Sequence, residues 1–297
     1  MAATTNTVAS SLIGAKPPLR RRAVNNAATT VMLLATLAAA VALGFVLVYL
    51  VEKGAGVISW SFLTSRVALN ARATNGGIGP AIVGTLVMTG GAALMAIPLG
   101  VLGAIYLNEF GKQNRLARVI RFMADVMTGV PSIVMGLFIY TVWVVPSHHL
   151  SGFAGALALG CLMLPIVIRS TEEMLRLVPD ELRNASQALG ARTWRTTLTV
   201  VLPAALSGIV SGAMLAIARA AGETAPLIFV AGITSRNNWK LSGPNTALSA
   251  QIFRNATQPF PQAIARAWGA ALTLVVIVFL FTLLSRLVAR RFSTGSR

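Results

Sequence analysis

The chain has 297 residues, of which 55% are hydrophobic and only 11% are charged, and its formal net charge is +17. Soluble domains carry about 25% charged residues. Together with a mean hydropathy of +0.73, this composition excludes an ordinary soluble domain and indicates membrane spans. The single cysteine, Cys161, excludes an internal disulfide framework.

Six apolar segments are long enough to cross the roughly 30 Å hydrocarbon layer of a membrane. They are predicted, in chain order, at about Ala27–Val51, Pro80–Leu107, Arg121–Val145, Ser151–Ile168, Ser207–Gly232 and Ala267–Ala289. One further short helix is expected near Thr246–Phe253, in a proline-containing loop. The predicted fold class is therefore all-α: a polytopic membrane protein with six transmembrane helices.

The basic residues lie in short segments between the spans, where they set membrane orientation rather than bind nucleic acid. Of the 25 Lys and Arg residues, 17 lie on the side that holds both termini and the loop after the fourth span. Seven lie on the opposite side, and Arg219 lies within a span. The bias predicts a multi-pass protein of the plasma (cell inner) membrane with cytoplasmic N- and C-termini.

Four segments follow from these spans. Residues 1–26 are expected to be a disordered cytoplasmic tail, and residues 27–75 the first transmembrane helix with its external loop. Residues 76–290 are expected to form the main transmembrane domain, which includes a cytoplasmic loop at 169–206. Residues 291–297 are expected to be a cytoplasmic C-terminal tail.

The cytoplasmic loop predicts a short surface helix. Pro179 suits a helix start, Asp180 and Glu181 suit the positive end of the helix dipole, and Gly190 suits a left-handed stop. Apolar residues recur between them at helical spacing, at Leu182, Ala185, Ala188 and Leu189. A second helix is expected at about Thr193–Val201, leading into Pro203. From the residues alone, an ordinary surface helix between spans remains the alternative to a docking element.

This loop resembles the segment by which permeases of ABC importers dock on their ATPase. The family pattern places Gly four residues after Glu-Ala-Ala, and Ile-x-Leu-Pro ten residues after that Gly. Here Asn184-Ala185-Ser186, Gly190, Val200 and Leu202-Pro203 keep the spacing, with Asn, Ser and Val as departures in identity. The resemblance implies an ATPase docking loop formed by Asn184, Ala185, Ser186, Ala188, Leu189, Gly190, Ala191 and Arg192.

The fifth span carries an unusual charged pair, Arg219 and Glu223, followed by Thr224 and Pro226. Charges inside an apolar span cost several kcal/mol unless they are paired or hydrated. At positions i and i+4 the two side chains share one helix face and can reach each other. Arg219 could line a pathway and bind an oxyanion, since its planar fork matches phosphate geometry. A structural ion pair between helices is the alternative.

The stretch from Arg219 to Leu227 resembles the permease subunits of ABC-type phosphate importers, as do Gly76-Gly77-Ile78, Ile82–Leu86, Pro98-Leu99-Gly100, Ala104–Leu107 and Gly129–Val134. The likeness covers about residues 76–290. It implies a type I importer transmembrane domain, inward movement of phosphate by alternating access, and a substrate pathway at Arg219, Glu223 and Thr224. It also implies three kinds of partner besides membrane lipid: a homologous second permease, two ATPase subunits and a phosphate-binding protein. Nucleic acid is not expected as a partner.

The chain has no G-x-x-x-x-G-K-[ST] motif, so ATP and Mg are expected to be bound by the partner ATPase subunits, with no cofactor, metal or catalytic residue in this chain. Asp125 is expected to pair locally with Arg121, and His148-His149 to form a solvated turn. A permease for sulfate, molybdate or phosphonate remains an alternative, because an arginine binds any oxyanion. A secondary transporter and a regulatory membrane protein are the other two classes left open.

Overall fold

A computed structural model describes residues 19–68, 70–111 and 114–293. Every regular element in these ranges is helical, which confirms the all-α fold class. The helices, in chain order, are α1 (Leu19–Ala55), α2 (Trp60–Thr64), α3 (Gly79–Phe110), α4 (Arg115–Gly129), α5 (Ser132–Ser147), α6 (Gly152–Arg176), α7 (Asp180–Ala188), α8 (Thr193–Ala221), α9 (Ala225–Val230), α10 (Leu248–Ala256) and α11 (Pro261–Ser293).

The chain divides into two compact units, Met1–Glu52 and Lys53–Arg297. In the first, α1 begins at Leu19, so residues 19–26 are helical although the sequence placed them in a disordered tail. Residues 291–293, predicted to be tail, likewise belong to α11. Residues 1–18 and 294–297 lie outside the described residues, so the rest of both predicted tails is not tested.

Five helices, α1, α3, α6, α8 and α11, are individually long and apolar enough to cross a membrane. Helices α4 and α5 make a sixth candidate together, but they are bent by 106° where they meet. The predicted number of spans is therefore met only if this bent pair counts as one. The short external helix expected near Thr246–Phe253 is present as α10.

The third predicted span, Arg121–Val145, is not one continuous helix. Proline has no N–H to donate and disfavours helical geometry in the residue before it. Val130, just before Pro131, is accordingly extended, with φ −70° and ψ 127°. The sequence Gly129-Val130-Pro131 carried this signal, and an unbroken span was the wrong prediction.

The fifth predicted span, Ser207–Gly232, is also interrupted. Helix α8 begins earlier, at Thr193, and ends at Ala221. Residues 222–224 then break the helix, and α9 resumes at Ala225 with Pro226 in its first turn, where a proline is well accommodated. The fourth span is longer than the expected Ser151–Ile168, because α6 continues to Arg176.

Helix α6 is central to the second unit, since it packs against α3, α4, α5, α8 and α9. Small residues allow the close approach: a Cβ on Gly100 of α3 would lie 2.7 Å from the Val167 side chain of α6. Without a hydrophobic force between helices in lipid, such van der Waals contact and interhelical hydrogen bonds drive association. One helix thus supports both charged regions of the molecule, which lie toward its middle and at its C-terminal end.

Candidate functional site

Helix α7, Asp180–Ala188, is the short surface helix that the sequence predicted. Pro179 precedes its first residue, and Asp180 and Glu181 occupy its first turn. Gly190 follows with φ +84°, the left-handed conformation that glycine adopts without penalty. The chain then enters α8 at Thr193, as expected.

The predicted docking residues form an exposed surface on α7 and the turn after it. Leu182 is 45% exposed and Leu189 is 90% exposed. Asn184, Ala185, Ala188, Gly190 and Arg192 are also exposed, whereas Ser186 and Ala191 are half-buried. The apolar residues of α7 are therefore available to another protein rather than packed on the bundle.

Ser186, one of the departures from the family pattern, has a structural contact of its own. Its hydroxyl lies 2.9 Å from the hydroxyl of Thr196, in the first turns of α8. The hydrogen bond joins α7 to α8 across the Gly190 turn. An alanine at this position would lack that link.

Arg183 is the one buried residue of α7, and sequence reasoning did not single it out. Its Nη2 donates to Glu109 Oε1 at 3.1 Å and to the Leu175 carbonyl at 2.8 Å. Its Nη1 donates to the Val178 carbonyl and to Asp180 Oδ1. The side chains of Arg183 and Glu109 are 9% and 5% exposed, so this pair is shielded from water.

A second buried carboxylate lies nearby, at the C-terminal end of α6. Glu172 Oε1 accepts from Arg121 Nε at 2.8 Å and from Arg176 Nη2 at 2.7 Å. Arg121 also donates to the Leu107 carbonyl of α3, at 2.7 Å. The expected Arg121–Asp125 pair is therefore wrong, because Arg121 binds Glu172 and Asp125 pairs with Arg169 of α6.

The second charged region is the pair from the fifth span. Arg219 lies in the last turn of α8, and Glu223 lies in the break between α8 and α9. Ser249 of α10 donates to the Glu223 carbonyl at 2.7 Å, which satisfies a backbone group released by the break. The interruption thus places a charged residue on non-helical backbone without leaving that carbonyl unpaired.

The Arg219–Glu223 contact is loose. Arg219 Nε lies 3.9 Å from Glu223 Oε1, and the two side chains are 69% and 20% exposed. Protein N–H···O hydrogen bonds span about 2.7–3.2 Å, so this is an ion pair at longer range. Within the part of the chain that the structure describes, the Arg219 guanidinium makes no hydrogen bond, and its N–H groups remain available to an anion.

Both residues line a cavity of about 280 Å³ between the helix breaks. The backbones approach closely there, since a Cβ on Gly136 of α5 would lie 2.5 Å from Pro226 Cα of α9. The other lining residues come from α4, its junction with α5, and α6: Met127, Thr128, Val130, Pro131, Ser132, Leu162, Pro165 and Ile166. The Thr128 hydroxyl already donates to the Asp125 carbonyl at 2.6 Å. The Arg219 guanidinium and the Ser132 hydroxyl are the lining donors that could hold a small polar anion.

Thr224, the third predicted pathway residue, is not among the residues that line this cavity. It lies at the start of α9, where its side chain makes no capping hydrogen bond. The hydroxyls that do line the cavity belong to Thr128 and Ser132, which sequence reasoning missed. Their signal was Pro131, which breaks the span beside both of them.

The two histidines and the question of a metal site complete the predicted features. His148 adopts φ +55° in a tight turn, and His149 Nδ1 lies 2.7 Å from the Ser147 carbonyl, as expected of turn residues. In residues 19–68, 70–111 and 114–293, no group of three His, Cys, Asp or Glu side chains is arranged to hold a metal ion.

Solved structures with a similar fold define the class of protein. A bacterial alginate ABC transporter matches 92% of this chain and 97% of its own, with a TM-score of 0.62 at 15% identity. A chain of the MetNI methionine ABC transporter superposes on 73% of this chain and 94% of its own length, with a TM-score of 0.56 at 22% identity. The helical unit described above thus has the fold of a type I ABC importer permease.

Sequence relatives specify the family. Residues 96–294 match the family of binding-protein-dependent transport system inner membrane components. The chain is 47% identical to phosphate transport system permease protein PstA 1 of Mycobacterium tuberculosis over 72% of this chain and 70% of that protein. It is 41% identical to the corresponding PstA of Yersinia pestis over 82% of each. The chain belongs to this family and is a multi-pass membrane protein.

Proposed function

We propose that this chain is a permease subunit of an ATP-driven importer that moves inorganic phosphate across the cell inner membrane into the cytoplasm by alternating access. Relatives that are phosphate transport permeases, 47% and 41% identical over most of the chain, support this function. The excess of Lys and Arg on one side supports cytoplasmic termini and a cytoplasmic α7. The chain itself performs no covalent chemistry.

The single observation that supports an oxyanion pathway in this chain is the loosely held Arg219 in its cavity. A guanidinium binds a tetrahedral oxyanion through two parallel N–H···O bonds. A purely structural pair would hold Arg219 at hydrogen-bond distance, as Arg183 is held, whereas its distance from Glu223 is 3.9 Å. Glu223 orients Arg219 and accepts a hydrogen bond from the hydroxyl of a protonated phosphate. Thr224 joins the pathway only in a conformation that opens the start of α9.

The exposed docking residues, Asn184 to Arg192, support contact with a partner ATPase. In this proposal they seat in a cleft of that subunit, which binds ATP and Mg. The assembly further contains a second ATPase subunit, a homologous second permease and a phosphate-binding protein that delivers the anion to the external face. Closure of the ATPase dimer on ATP moves α7, and the transmembrane helices then expose the cavity to the cytoplasm.

The test is ATP-driven uptake of labelled phosphate into vesicles that contain the whole complex, with ATP hydrolysis recorded in the same samples. Arg219→Ala is expected to lower uptake by roughly 10- to 100-fold, since a hydrogen bond to a charged group is worth about 1.5–3 kcal/mol. Arg219→Lys keeps the positive charge but loses the planar guanidinium, so its uptake should lie between that of the wild type and that of Arg219→Ala. ATP hydrolysis should persist in both variants.

A matched control is Arg118→Ala, which removes an exposed arginine of α4 outside the cavity. Its uptake should equal that of the wild type.

Unchanged uptake in Arg219→Ala would remove Arg219 from the pathway. Wild-type vesicles that take up sulfate, molybdate or a phosphonate in preference to phosphate would transfer the function to that oxyanion. Uptake without any ATP requirement would indicate a secondary transporter.

A further inference from the structure

Arg183 joins three parts of the molecule through one side chain. It belongs to α7, the proposed docking helix. It donates to Glu109 in the last turn of α3, and to the carbonyls of Leu175 and Val178 at the end of α6. Glu109 is 74 positions away in the chain, so the contact is one that only the tertiary structure creates.

Two arginines from other helices donate hydrogen bonds to the C-terminal end of α3. Glu109 accepts from Arg183, while the Leu107 carbonyl, two residues earlier, accepts from Arg121 of α4. This stretch forms a π-helical turn, Tyr106–Phe110, whose wider ring is closed by Gly111 N–H donating to the Tyr106 carbonyl at 2.7 Å. Local π-helical turns occur often at functional sites. Here the turn ends the second span at the buried ion pair.

We propose that the Glu109–Arg183 ion pair is the link that carries displacement of α7 into α3, and that both are positioning residues for the coupling of ATP hydrolysis to transport. This inference rests on the proposed function, since it takes α7 to be the element that the ATPase moves. Neither residue is among those that line the Arg219 cavity. Their effect is on how the motion of one helix reaches another.

Physical reasons favour this pair as the link. Both side chains are shielded from water, so the attraction between them is little screened. Separating them would leave the buried Glu109 carboxylate with only a neutral donor, Asn108 Nδ2 at 2.7 Å, and without a cation. Elsewhere α7 presents mainly exposed residues, with Leu182 and Leu189 turned to solvent. Movement of α7 is therefore expected to displace Glu109 with it, because losing the contact would leave a buried carboxylate without its cation.

Asp180 offers a matched control within the same cluster. Its carboxylate lies 3.2 Å from the same guanidinium, but its side chain is 80% exposed and it belongs to α7 itself. The Asp180–Arg183 contact cannot connect α7 to another helix. Removing either carboxylate takes one acceptor from Arg183, whereas only the loss of Glu109 disconnects α3.

The experiment measures phosphate taken up per ATP hydrolysed by the complete complex in vesicles, for wild type, Glu109→Gln, Glu109→Ala and Asp180→Ala. We expect the ratio to fall about threefold or more in Glu109→Gln, which keeps the shape and loses the charge, and about tenfold or more in Glu109→Ala. Asp180→Ala should stay within about twofold of wild type, since exposed pairs contribute little. ATP hydrolysis should continue in all of them.

A second measurement separates coupling from mere stability. Spin labels on exposed positions of α7 outside the docking residues (Glu181→Cys) and of α3 (Leu102→Cys), each paired with a label on the homologous second permease, report how far each helix moves on ATP binding, with Cys161 replaced by alanine. In the wild type both helices should move. In Glu109→Gln, α7 should move while the displacement of α3 is reduced. If Glu109→Ala does not assemble, the isosteric Glu109→Gln decides by this readout.

The outcomes are distinct. An unchanged uptake ratio and an unchanged α3 displacement in Glu109→Gln would overturn the link while leaving the importer function intact. An equal loss in Asp180→Ala would also overturn it, because the effect would then belong to Arg183 packing alone. Absence of ATP-driven phosphate uptake in the wild type would instead refute the proposed function, independently of every variant.

Discussion

The two charged regions of this chain hold their arginines in opposite ways. At the α7 end, Arg183 donates to a buried carboxylate and two backbone carbonyls. In the cavity, Arg219 lies 3.9 Å from Glu223 and is largely exposed. The first arrangement uses most of the donors of a guanidinium, and the second leaves them free. The two arginines are therefore distinguished by burial and by the distance to their carboxylates, which fits the helix-joining role of Arg183 and the proposed anion-binding role of Arg219.

Helix interruptions accompany this difference. The cavity lies where Val130–Pro131 and residues 222–224 break two helices, and broken helices are a common way to build a polar site within a membrane bundle. Near α7, by contrast, helix α6 is continuous to Arg176. Arg183 of α7 and Arg121 of α4 both donate to groups at the C-terminal end of α6. If the proposed roles hold, the site that changes its contacts during transport is built on helix breaks, and the site that transmits movement is built on tight contacts.

Arg183→Ala is expected to have the largest effect on stability. The change leaves Glu109 buried without its arginine and removes the donor to two carbonyls. Loss of one partner of a buried ion pair costs about 3–5 kcal/mol. We expect a loss of stability of this order in detergent micelles, measured by denaturant titration of the purified complex, and a lower thermal midpoint. Arg195→Ala, which removes an exposed arginine nearby, should change stability by less than 1 kcal/mol, and an equally small effect of Arg183→Ala would contradict the structural role.

Gly190→Val tests the turn that follows the docking helix. A left-handed conformation costs a residue with a Cβ roughly 1–2 kcal/mol, and Gly190 has φ +84°. Because no atom lies within 4 Å of the position that a Cβ would occupy, the effect is conformational rather than steric. Stimulation of ATP hydrolysis by the loaded binding protein should weaken. Gly190→Asn is the control, since asparagine tolerates this conformation; equal defects in both would point to a contact instead of the backbone.

Ser186→Ala tests the weaker fastening of α7. It removes the 2.9 Å hydroxyl contact with Thr196 and leaves no buried charge behind. We expect the free energy of unfolding, measured by denaturant titration, to fall by about 0.5–1.5 kcal/mol, the usual net contribution of such a hydrogen bond. Thr199→Ala serves as its control, because the Thr199 hydroxyl bonds only to the Arg195 carbonyl in its own helix. No difference between the two variants would show that the link between α7 and α8 is dispensable.

The smallest expected change in stability belongs to Arg219→Ala. Exposed ion pairs contribute about 0–1 kcal/mol, and the Arg219–Glu223 contact is long and open. The variant should unfold almost as the wild type does, although it loses phosphate uptake. The contrast with Arg183→Ala is sharp: one arginine matters for stability and coupling, the other for transport. A destabilisation of Arg219→Ala by several kcal/mol would make Arg219 structural.

Much of the site was predictable because its signals are local. Pro179, the two acidic residues after it and Gly190 fixed the start and end of α7, since each acts through its own backbone or the nearest helix turn. The pairing of Arg219 with Glu223 followed from their i, i+4 spacing. The signal for the helix break at Val130–Pro131 was also local, since it is the proline itself. It was missed because the apolar run from Arg121 to Val145 was interpreted as one continuous span.

The partners of the other charges were beyond such reasoning. Asp125 has Arg121 one helix turn away, but pairs with Arg169 on another helix. Glu109 and Arg183 share no periodic pattern in the sequence. Which of several arginines a carboxylate meets depends on how α3, α4 and α6 pack, and that packing is decided by small residues such as Gly100 across many helix turns.

Residue patterns alone were enough to predict the class of protein, the approximate course of its apolar segments, the short helix at 180–188 and the charged pair Arg219–Glu223, because composition, periodicity and turn chemistry act over a few residues. Only the tertiary structure decided that Arg219 is loosely held in a cavity between two helix breaks, and that Arg183 is tightly held by Glu109. Burial and long-range distances arise from the packing of helices, and no short stretch of sequence contains them.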